Sequence, residues 1–290
     1  MSVVNTNVSA SLAQAALAKN ERALGTAMEQ LSTGSKINSA SDDAAGLAMA
    51  AKFTAQIKGL DMAVKNANDA VSMISTAEGA LDEVASMLLR MRELAVQSAN
   101  GTVTAEDRDY MDLEYQALNS EITRIANNTQ WNGENILDGT AGAGSGTSTS
   151  SVTFQVSANY TAGTPSNDVI TVDFGNLATA LGSTGSANVT GSDVDTQSNA
   201  TDAIGVLDAG IVAINTQRAT FGAASNRLEH AVDNMTNIGN NAEASRSRIE
   251  DTDYAETTSE LAKAQIIAQA GTAMLAQANQ SPQNVLSLLR

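Results

Sequence analysis

The sequence has 290 residues, a formal net charge of −16, no cysteine and two prolines. Aromatic residues are 3% of the chain, so small apolar residues must fill most of any core. That suits closely packed helices better than a globule, whose interior is filled at crystal-like density by bulkier side chains. The acidic balance without a basic block excludes a nucleic-acid partner. Membrane insertion is also excluded, because no apolar run reaches the roughly 20 residues that span a bilayer.

The N-terminal segment predicts a helix with one apolar seam. Its first ten residues, MSVVNTNVSA, lack the basic and apolar parts of a secretory signal peptide. We therefore expect a cytoplasmic protein or one exported by a route that needs no such signal. Apolar residues then recur every seven positions, as in a coiled coil: Val3, Ala10, Leu17, Leu24 and Leu31.

Asp42 and Asp43 form an acidic pair at the start of the next helical pattern. Two neighbouring carboxylates can serve acid–base chemistry or a metal. At a helix start, however, a carboxylate accepts the unpaired backbone N–H groups and meets the positive end of the helix dipole. Capping is therefore the favoured interpretation.

Two long stretches carry sustained heptads. In the first half the seven-residue steps contain Phe53, Leu60, Ala67, Ile74, Leu81, Leu88 and Ala95, with Val64, Val71 and Ala85 as a second series interrupted by Glu78. In the second half they contain Ala200, Leu207, Ile214, Phe221, Leu228, Met235, Ala242 and Ile249, with Ile204, Ile211 and Val232 interleaved. Each pattern predicts a helix of about 50 residues, or about 75 Å at 1.5 Å per residue.

A shorter helix is predicted after the turn at Asn100–Gly101. Thr104 stands three residues before Asp107 and can cap the start of this helix. The apolar residues of this helix are Met111, Tyr115, Leu118, Ile122 and Ile125.

Between about residues 131 and 197 the composition changes to Gly, Ser, Thr and Asn. Residues 151–157 and 168–174 are rich in Val, Thr, Ile and Phe, which predicts two strands. We expect a small β-containing excursion, and we expect residues 141–197 to contribute little to the helical core.

The C-terminal segment repeats the single-seam pattern, with Leu261, Ala268 and Leu275 seven apart and Ala264, Gly271 and Ala278 between them. Asp253 and Glu256 form a plausible capping pair at its start. At the end, Ser281 and Pro282 fit the start of a short apolar helix. The large aliphatic residues there favour a partner surface over packing within the chain; they are Val285, Leu286, Leu288 and Leu289.

We find no chemistry in the sequence. The lone histidine, His230, lies beside seam residues and is interpreted as a helix-surface residue. No acidic cluster has the ligand spacing of a metal site, and no Gly-rich phosphate loop follows a strand. We predict neither a catalytic residue nor a cofactor.

These patterns predict a mainly α fold: an elongated coiled-coil rod built from the N- and C-terminal segments, with a small β-containing central domain. The predicted domains are a terminal coiled coil of residues 1–43 and 251–290, a long-helix domain of residues 44–130 and 200–250, and a variable, surface-exposed region of residues 131–199.

Four stretches resemble the bacterial flagellin family. They are QLSTGSKINSASDDAAGLAMA (30–50), MLLRMRELAVQSANGT (87–102), NNTQWNGENILDG (127–139) and the last 43 residues, from RIEDTDYAETT to QNVLSLLR (248–290). The resemblance covers roughly residues 1–140 and 200–290. It implies a subunit that polymerises with itself into a flagellar filament, with the terminal helices paired in the inner tube.

The resemblance also implies export through the flagellar type III apparatus to the cell exterior. Its implied partners are an export chaperone on the C-terminal segment, the filament cap protein and the hook–filament junction proteins. Arg90, Leu94 and Glu114 match positions at which similar flagellins contact the flagellin-sensing Toll-like receptor. Leu89 departs from the glutamine of strongly stimulating relatives. The tail leucines resemble the segment detected by cytosolic inflammasome sensors.

Three other protein classes share some of these features. A hook-associated junction protein shares the helical ends, but the tail QNVLSLLR and the segment DDAAGLA favour flagellin. A cytoplasmic coiled-coil scaffold explains the heptads but not two aliphatic ends around a Gly/Ser/Thr-rich middle. An inserted protease would need a His-Glu-x-x-His motif, which the sequence lacks.

The sequence also predicts how the ends behave. A lone amphipathic helix is marginal in water, so we expect both end helices to be mobile in free subunits and ordered in the filament. We expect the filament to bury Leu17, Leu24, Leu31, Leu261, Leu275, Val285, Leu286 and Leu289. The alternative is that these leucines complete the core of the single subunit.

Overall fold

The structure is a computed structural model that describes residues 6–142, 150–158, 168–182 and 188–287, with side chains described as far as residue 280. Six helices and four short strands lie in these residues. The helices are α1 (Val8–Thr33), α2 (Ala44–Ser98), α3 (Ala105–Asn128), α4 (Leu177–Ala180), α5 (Gln197–Glu250) and α6 (Tyr254–Ser287). The strands are β1 (Gln130–Trp131), β2 (Glu134–Asn135), β3 (Ser151–Gln155) and β4 (Val169–Asp173). The predicted mainly α fold with a small β-containing region is confirmed.

The strands form two antiparallel pairs. β1 and β2 are joined by Asn132 and Gly133, whose φ angles of 50° and 85° are both positive. Positive φ at both central residues is the signature of the two-residue hairpin turn that Asn-Gly favours. β3 pairs with β4 so that Phe154 lies opposite Ile170. Both predicted strands are therefore present.

The chain divides into two compact units. The terminal unit contains Met1–Ala55 and Asn240–Arg290, and the central unit contains Gln56–Gly239. The long helices α2 and α5 each contribute residues to both units. The finer three-part division remains a prediction.

The core of the central unit is built on the predicted seven-residue series. On α2 and α5 these residues are each 6% exposed or less, namely Leu60, Ala67, Ile74, Leu81, Leu88, Ala95, Ala200, Leu207, Ile214, Phe221, Leu228 and Met235. Three of these twelve residues are alanines, and the other nine carry larger apolar side chains. Periodicity was therefore sufficient to find the main seam.

The second series on α2 is displaced by one residue from the prediction. The buried residues are Ala63, Ala70, Ala77, Val84 and Met91. Val64 and Val71 are half-buried beside them, and Glu78 is exposed. The valines carry more weight than alanines in an apolar pattern, but at these two steps the smaller neighbours Ala63 and Ala70 take the buried positions.

The expectation that the middle of the chain contributes little to the core is wrong. Phe174, Leu181, Val189 and Val194 are each 1% exposed or less and belong to the same apolar cluster as the helices. The ring of Phe174 packs on Phe221 of α5 with centroids 5.3 Å apart. These four apolar residues of the middle region therefore lie in the interior of the central unit.

A strap formed by residues 188–194 is fixed to α3 by side-chain hydrogen bonds. The Asn119 amide donates to the Thr190 carbonyl (3.2 Å), and the backbone N–H of Val194 donates to the Asp112 carboxylate (3.0 Å). Tyr115, fully buried, shares a short hydrogen bond with the Ser192 hydroxyl. These contacts satisfy polar groups that would otherwise be buried without partners.

The paired terminal helices and the family of the chain

α1 and α6 pack against one another along the described part of their predicted seams; Val3 lies outside the described residues. The inward side chains are half-buried or buried: Ala10, Leu17, Leu24, Ala27 and Leu31 on α1, and Leu261, Ala264, Ala268, Gly271, Leu275 and Ala278 on α6. The structure therefore gives Leu17, Leu24, Leu31, Leu261 and Leu275 a partner helix inside the same chain. Their expected burial by other copies in the filament is not tested by a single chain and remains a prediction.

Two asparagines fix the direction and register of the pair. The Asn7 amide donates to the Ala278 carbonyl at 2.8 Å, and the Asn20 amide donates to the Ala264 carbonyl at 2.8 Å. Because the partner residue number falls as the α1 number rises, the helices are antiparallel. Each bond satisfies an amide at a partly buried position between the helices and stabilises the observed pairing.

Gly271 lets the two helices approach near the middle of the pair. A Cβ atom at this position would lie 3.3 Å from Leu17 Cδ1. Such a contact is tighter than normal packing, so the absence of a side chain at Gly271 sets the local distance. The glycine weakens α6 as an isolated helix by roughly 1 kcal/mol relative to alanine.

The two linkers at the base of the pair are joined by a short β-bridge between Ser35 and Asp251. The backbone N–H of Lys36 donates to the backbone carbonyl of Glu250 (2.6 Å), and the backbone N–H of Thr252 donates to the backbone carbonyl of Gly34 (3.0 Å). Gly34 ends α1 with a φ of 74°, the left-handed conformation that glycine adopts without a steric penalty. The bridge holds the end of α1 beside the start of α6.

The outer face of the pair carries large apolar side chains that the described residues leave uncovered. Leu12 is 72% exposed and Ile266 is 67% exposed. Apart from Tyr254 at the start of α6, the exposed large apolar residues on the described parts of the two helices are Val8, Leu12, Met28, Ile266, Ile267 and Met274; we call these six residues the outer face. The sequence analysis missed these residues because they do not fall on the seven-residue series. Large apolar residues in excess of those the series needs are the signal that could have identified them. Such a group is typical of an interaction surface.

The acidic and hydroxyl residues considered for capping lie at helix starts or in the turn before one. Asp43 accepts hydrogen bonds from Ala45 N and Gly46 N, each at 3.0 Å. Asp42 instead turns back to accept from Ser39 N at 2.9 Å, and the hydrogen bonds from Ser39 hold its pKa below the ordinary value. Asp253 accepts from Ala255 N at 2.8 Å. Thr104 and Asp107 form a reciprocal capping box on α3.

The three residues proposed for receptor contact lie on α2 and α3 in the central unit. Arg90 is exposed, and its guanidinium donates hydrogen bonds to the carboxylates of Glu114 (2.9 Å) and Glu93 (3.0 Å). These hydrogen bonds raise the pKa of Arg90, and the bond to Glu114 contributes most. Leu94 is only 2% exposed and packs into the core, so it offers almost no surface for a direct contact. Leu89, by contrast, is 53% exposed beside Arg90.

The tail residues proposed for assembly fall at the limit of the structure. The backbone of α6 extends to Ser287, which includes Val285 and Leu286, but their side chains lie outside the described residues. Leu289 also lies outside the described residues. Their proposed role therefore remains a prediction.

No arrangement suited to catalysis was found in the described part of the chain. It contains no group of three His, Cys, Asp or Glu side chains that could hold a metal ion. One partly enclosed cavity, of about 50 Å³, is lined mainly by apolar residues around Phe174 and Leu177. His230 is exposed on α5. None of the described helices is long and apolar enough to cross a membrane.

Comparison with known proteins decides the family. Residues 4–142 match the bacterial flagellin N-terminal helical region, and residues 204–289 match the C-terminal helical region. The chain belongs to the bacterial flagellin family. The two matched segments contain all but the middle of this flagellin chain.

Curated relatives agree over the full length. A flagellin of Halalkalibacterium halodurans is 43% identical over 99% of this chain and 100% of its own. A flagellar filament 33 kDa core protein of Treponema phagedenis is also 43% identical, with the same coverage of both chains. The flagellin chain is thus a structural subunit of the bacterial flagellar filament, polymerises with itself and is not an enzyme.

Two solved structures are similar to this chain, and the first supports the fold. A putative flagellar hook-associated protein from Vibrio parahaemolyticus has a TM-score of 0.57 at 17% identity, covering 72% of this chain and 100% of that one. The Bacillus cereus flagellin crystal structure is 34% identical, with a TM-score of 0.49 and coverage of 59% and 88%. At 17% identity the hook-associated likeness concerns the fold alone, and the family assignment rests on the sequence matches.

Proposed function

We propose that copies of this flagellin join through the outer face of the α1/α6 pair, while the seam leucines act by holding the pair together. The observation that carries this proposal is the division of apolar residues between two sides of the same helices. Leu24 and Leu275 are half-buried on the seam. Leu12 and Ile266 are more than two-thirds exposed on the other side.

The energetic case follows from these exposures. Burying a large aliphatic side chain fully contributes about 1.5–3 kcal/mol. Four to six such residues per copy would contribute roughly 6–18 kcal/mol, which adds to the gain from the seam and offsets part of the entropy of ordering the two ends. In a polymer the gain recurs at every subunit, which favours filaments over isolated chains.

The test is seeded polymerisation of a double variant, Leu12→Ser with Ile266→Ser. Both positions are on helix surfaces, so we expect the pair to form and the pelleted fraction to fall sharply. Val212→Ser, at an α5 side chain that is 63% exposed, is the matched control and should pellet as the parent does. Normal filaments from the double variant, seen by electron microscopy, would contradict the assignment of the outer face.

We also propose that the subunit leaves the cell through the flagellar type III apparatus and acts outside it. The export chaperone would bind the α6 segment, whose apolar outer side chains Ile266, Ile267 and Met274 are available before assembly. The cap and junction proteins would contact the same helices as successive subunits do. Calorimetric titration of the chaperone with a peptide of residues 254–290 tests the first contact. An Ile266→Ser/Ile267→Ser peptide is the control, and equal heats of binding for the two peptides would count against the contact.

For host recognition we propose that the Toll-like receptor contacts Arg90, Glu114 and the exposed Leu89, with Leu94 acting through packing. The Arg90–Glu114 pair joins α2 to α3 at the surface. Arg90→Ala should weaken receptor activation in a reporter assay. Arg124→Ala is a matched control, because Arg124 is also an exposed arginine paired with a glutamate, Glu121. Equal activity of the two variants would remove Arg90 from the contact.

A further inference from the structure

Methionine carries all the sulfur in this chain, which has ten methionines and no cysteine. Eight of the nine thioethers in the described residues fall into two groups by exposure; Met87 is half-buried, and Met1 lies outside the described residues. Four are buried at 9% exposure or less, namely Met73, Met91, Met111 and Met235. Four are 47% exposed or more, namely Met28, Met49, Met62 and Met274.

Two of the exposed methionines belong to the outer face of the α1/α6 pair. Met28 is 57% exposed and follows the buried seam residue Ala27. Met274 is 64% exposed and precedes the half-buried seam residue Leu275. Although each methionine is next to a seam residue in the sequence, neither thioether is covered in the single chain, and both are accessible to solvent or to another copy.

We propose that hydrogen peroxide oxidises Met28 and Met274 in the free subunit and that their sulfoxides stop polymerisation without unfolding the chain. This inference rests on the proposed function of the outer face. A sulfur lone pair attacks one peroxide oxygen, the O–O bond breaks, and the products are the sulfoxide and water. Sulfur loses two electrons, and peroxide gains them.

The expected selectivity has a physical basis. Oxidation of methionine follows solvent exposure, so the buried thioethers of the central unit are protected. A sulfoxide is polar and must lose its water when an apolar contact closes over it. On the exposed side of a helix it disturbs neither the seam nor the backbone hydrogen bonds. Folding is thus retained, and assembly is lost.

The experiment uses the full chain and partial oxidation. Subunits are treated with peroxide until each exposed methionine is about half converted, catalase removes the oxidant, and filament seeds are added. Pellet and supernatant are separated, and peptide mass spectrometry gives the sulfoxide fraction at each methionine. Met49 and Met62 serve as internal controls of similar exposure.

We expect sulfoxide at Met28 and Met274 to be at least about tenfold depleted in the pellet, the ratio that corresponds to about 1.4 kcal/mol. Sulfoxide at Met49 and Met62 should be distributed evenly. Equal sulfoxide fractions at Met28 and Met274 in pellet and supernatant would overturn the proposal. If untreated subunits also failed to extend the seeds, the result would instead count against polymerisation of this chain itself.

Variants supply a second readout. Leucine is close to methionine in volume and is usually tolerated in its place, so Met28→Leu/Met274→Leu subunits should polymerise after full oxidation. Met49→Leu/Met62→Leu subunits should lose polymerisation as the parent does. Treatment of the oxidised parent with both stereospecific methionine sulfoxide reductases should restore pelleting. A repaired subunit with no residual sulfoxide that still fails to pellet would exclude reversible oxidation as the cause. Circular dichroism of the oxidised parent should match that of the untreated chain.

Discussion

The side-chain amide of Asn20 on α1 lies 2.8 Å from the backbone carbonyl oxygen of Ala264 on α6. Ala264 is 6% exposed, so the hydrogen bond lies within the seam of the pair. Asn7 makes the same kind of contact with Ala278 about two heptads away. Together the two bonds join α1 and α6 at two separate points and hold them in the observed register.

Replacement of Asn20 by alanine should loosen the pair without disturbing the central unit. A net hydrogen bond contributes about 0.5–1.5 kcal/mol, so amide protons of α1 and α6 should exchange about two- to tenfold faster. Hydrogen–deuterium exchange of filaments, read by peptide, measures this. Lys19→Ala, at the exposed neighbouring position, is the control. Identical exchange in the two variants would show that the Asn20 bond does not hold the register.

The sequence predicted this seam because Leu17, Leu24, Leu261 and Leu275 repeat at seven-residue intervals with few competing apolar residues. On α2 the same reasoning missed the second series by one position, because alanines at Ala63 and Ala70 carry less weight than valines in any apolar pattern. The burial of Phe174 could not be predicted, since its partner Phe221 is distant in sequence and no local pattern records a tertiary contact. Leu94 was assigned from a matched motif, and a motif carries no information on exposure.

The seam leucines give a prediction that separates pairing from core stability. Leu24→Asp with Leu275→Asp places two charges in the seam of the pair, where an unpaired charge is strongly unfavourable. We expect filament growth to be abolished and the helix content of the terminal unit to fall. Melting of the central unit, whose core uses none of these residues, should be unchanged.

Sedimentation after seeding, together with a thermal melt followed by circular dichroism, distinguishes the two effects. Leu24→Met with Leu275→Met is the matched control, because it preserves apolar volume. Normal pelleting of the aspartate variant would refute a role for the seam in assembly. A large fall in the melting of the central unit would show that the pair is part of one cooperative core.

The contact between Phe174 and Phe221 predicts that the middle of the chain stabilises the helices. Phe221 is fully buried, and truncating such a ring to alanine costs about 3–5 kcal/mol. Phe174→Ala should cost a comparable amount, although the residue lies in the region expected to vary. A double-mutant cycle by urea unfolding should give a coupling of about 0.5–1.5 kcal/mol for the tilted ring pair. No coupling would mean that the two rings stabilise the core independently.

Tyr115 supplies a prediction about alkaline pH. Burial, the largest cause, raises the pKa of its hydroxyl above the ordinary value, with Asp112 and Asp193 adding to the shift and the Ser192 hydrogen bond opposing it. The unfolded chain therefore releases this proton first, at about pH 10. The resulting stability is fully present below that pH and is lost as the pH rises towards the pKa of the folded state.

Tyr115→Phe removes both the titrating proton and the hydrogen bond to Ser192. Between pH 7 and 9 we expect the variant to be less stable by about 0.5–1.5 kcal/mol, the usual net value of one hydrogen bond. Above about pH 10 the difference should shrink, because only the parent loses stability through this group. Ser192→Ala is the control. It removes the hydrogen bond but keeps the Tyr115 hydroxyl, so this variant should still lose stability above about pH 10. Urea unfolding at each pH measures the difference, and a constant gap between Tyr115→Phe and the parent up to pH 11 would show that the Tyr115 hydroxyl titrates alike in the folded and unfolded chains.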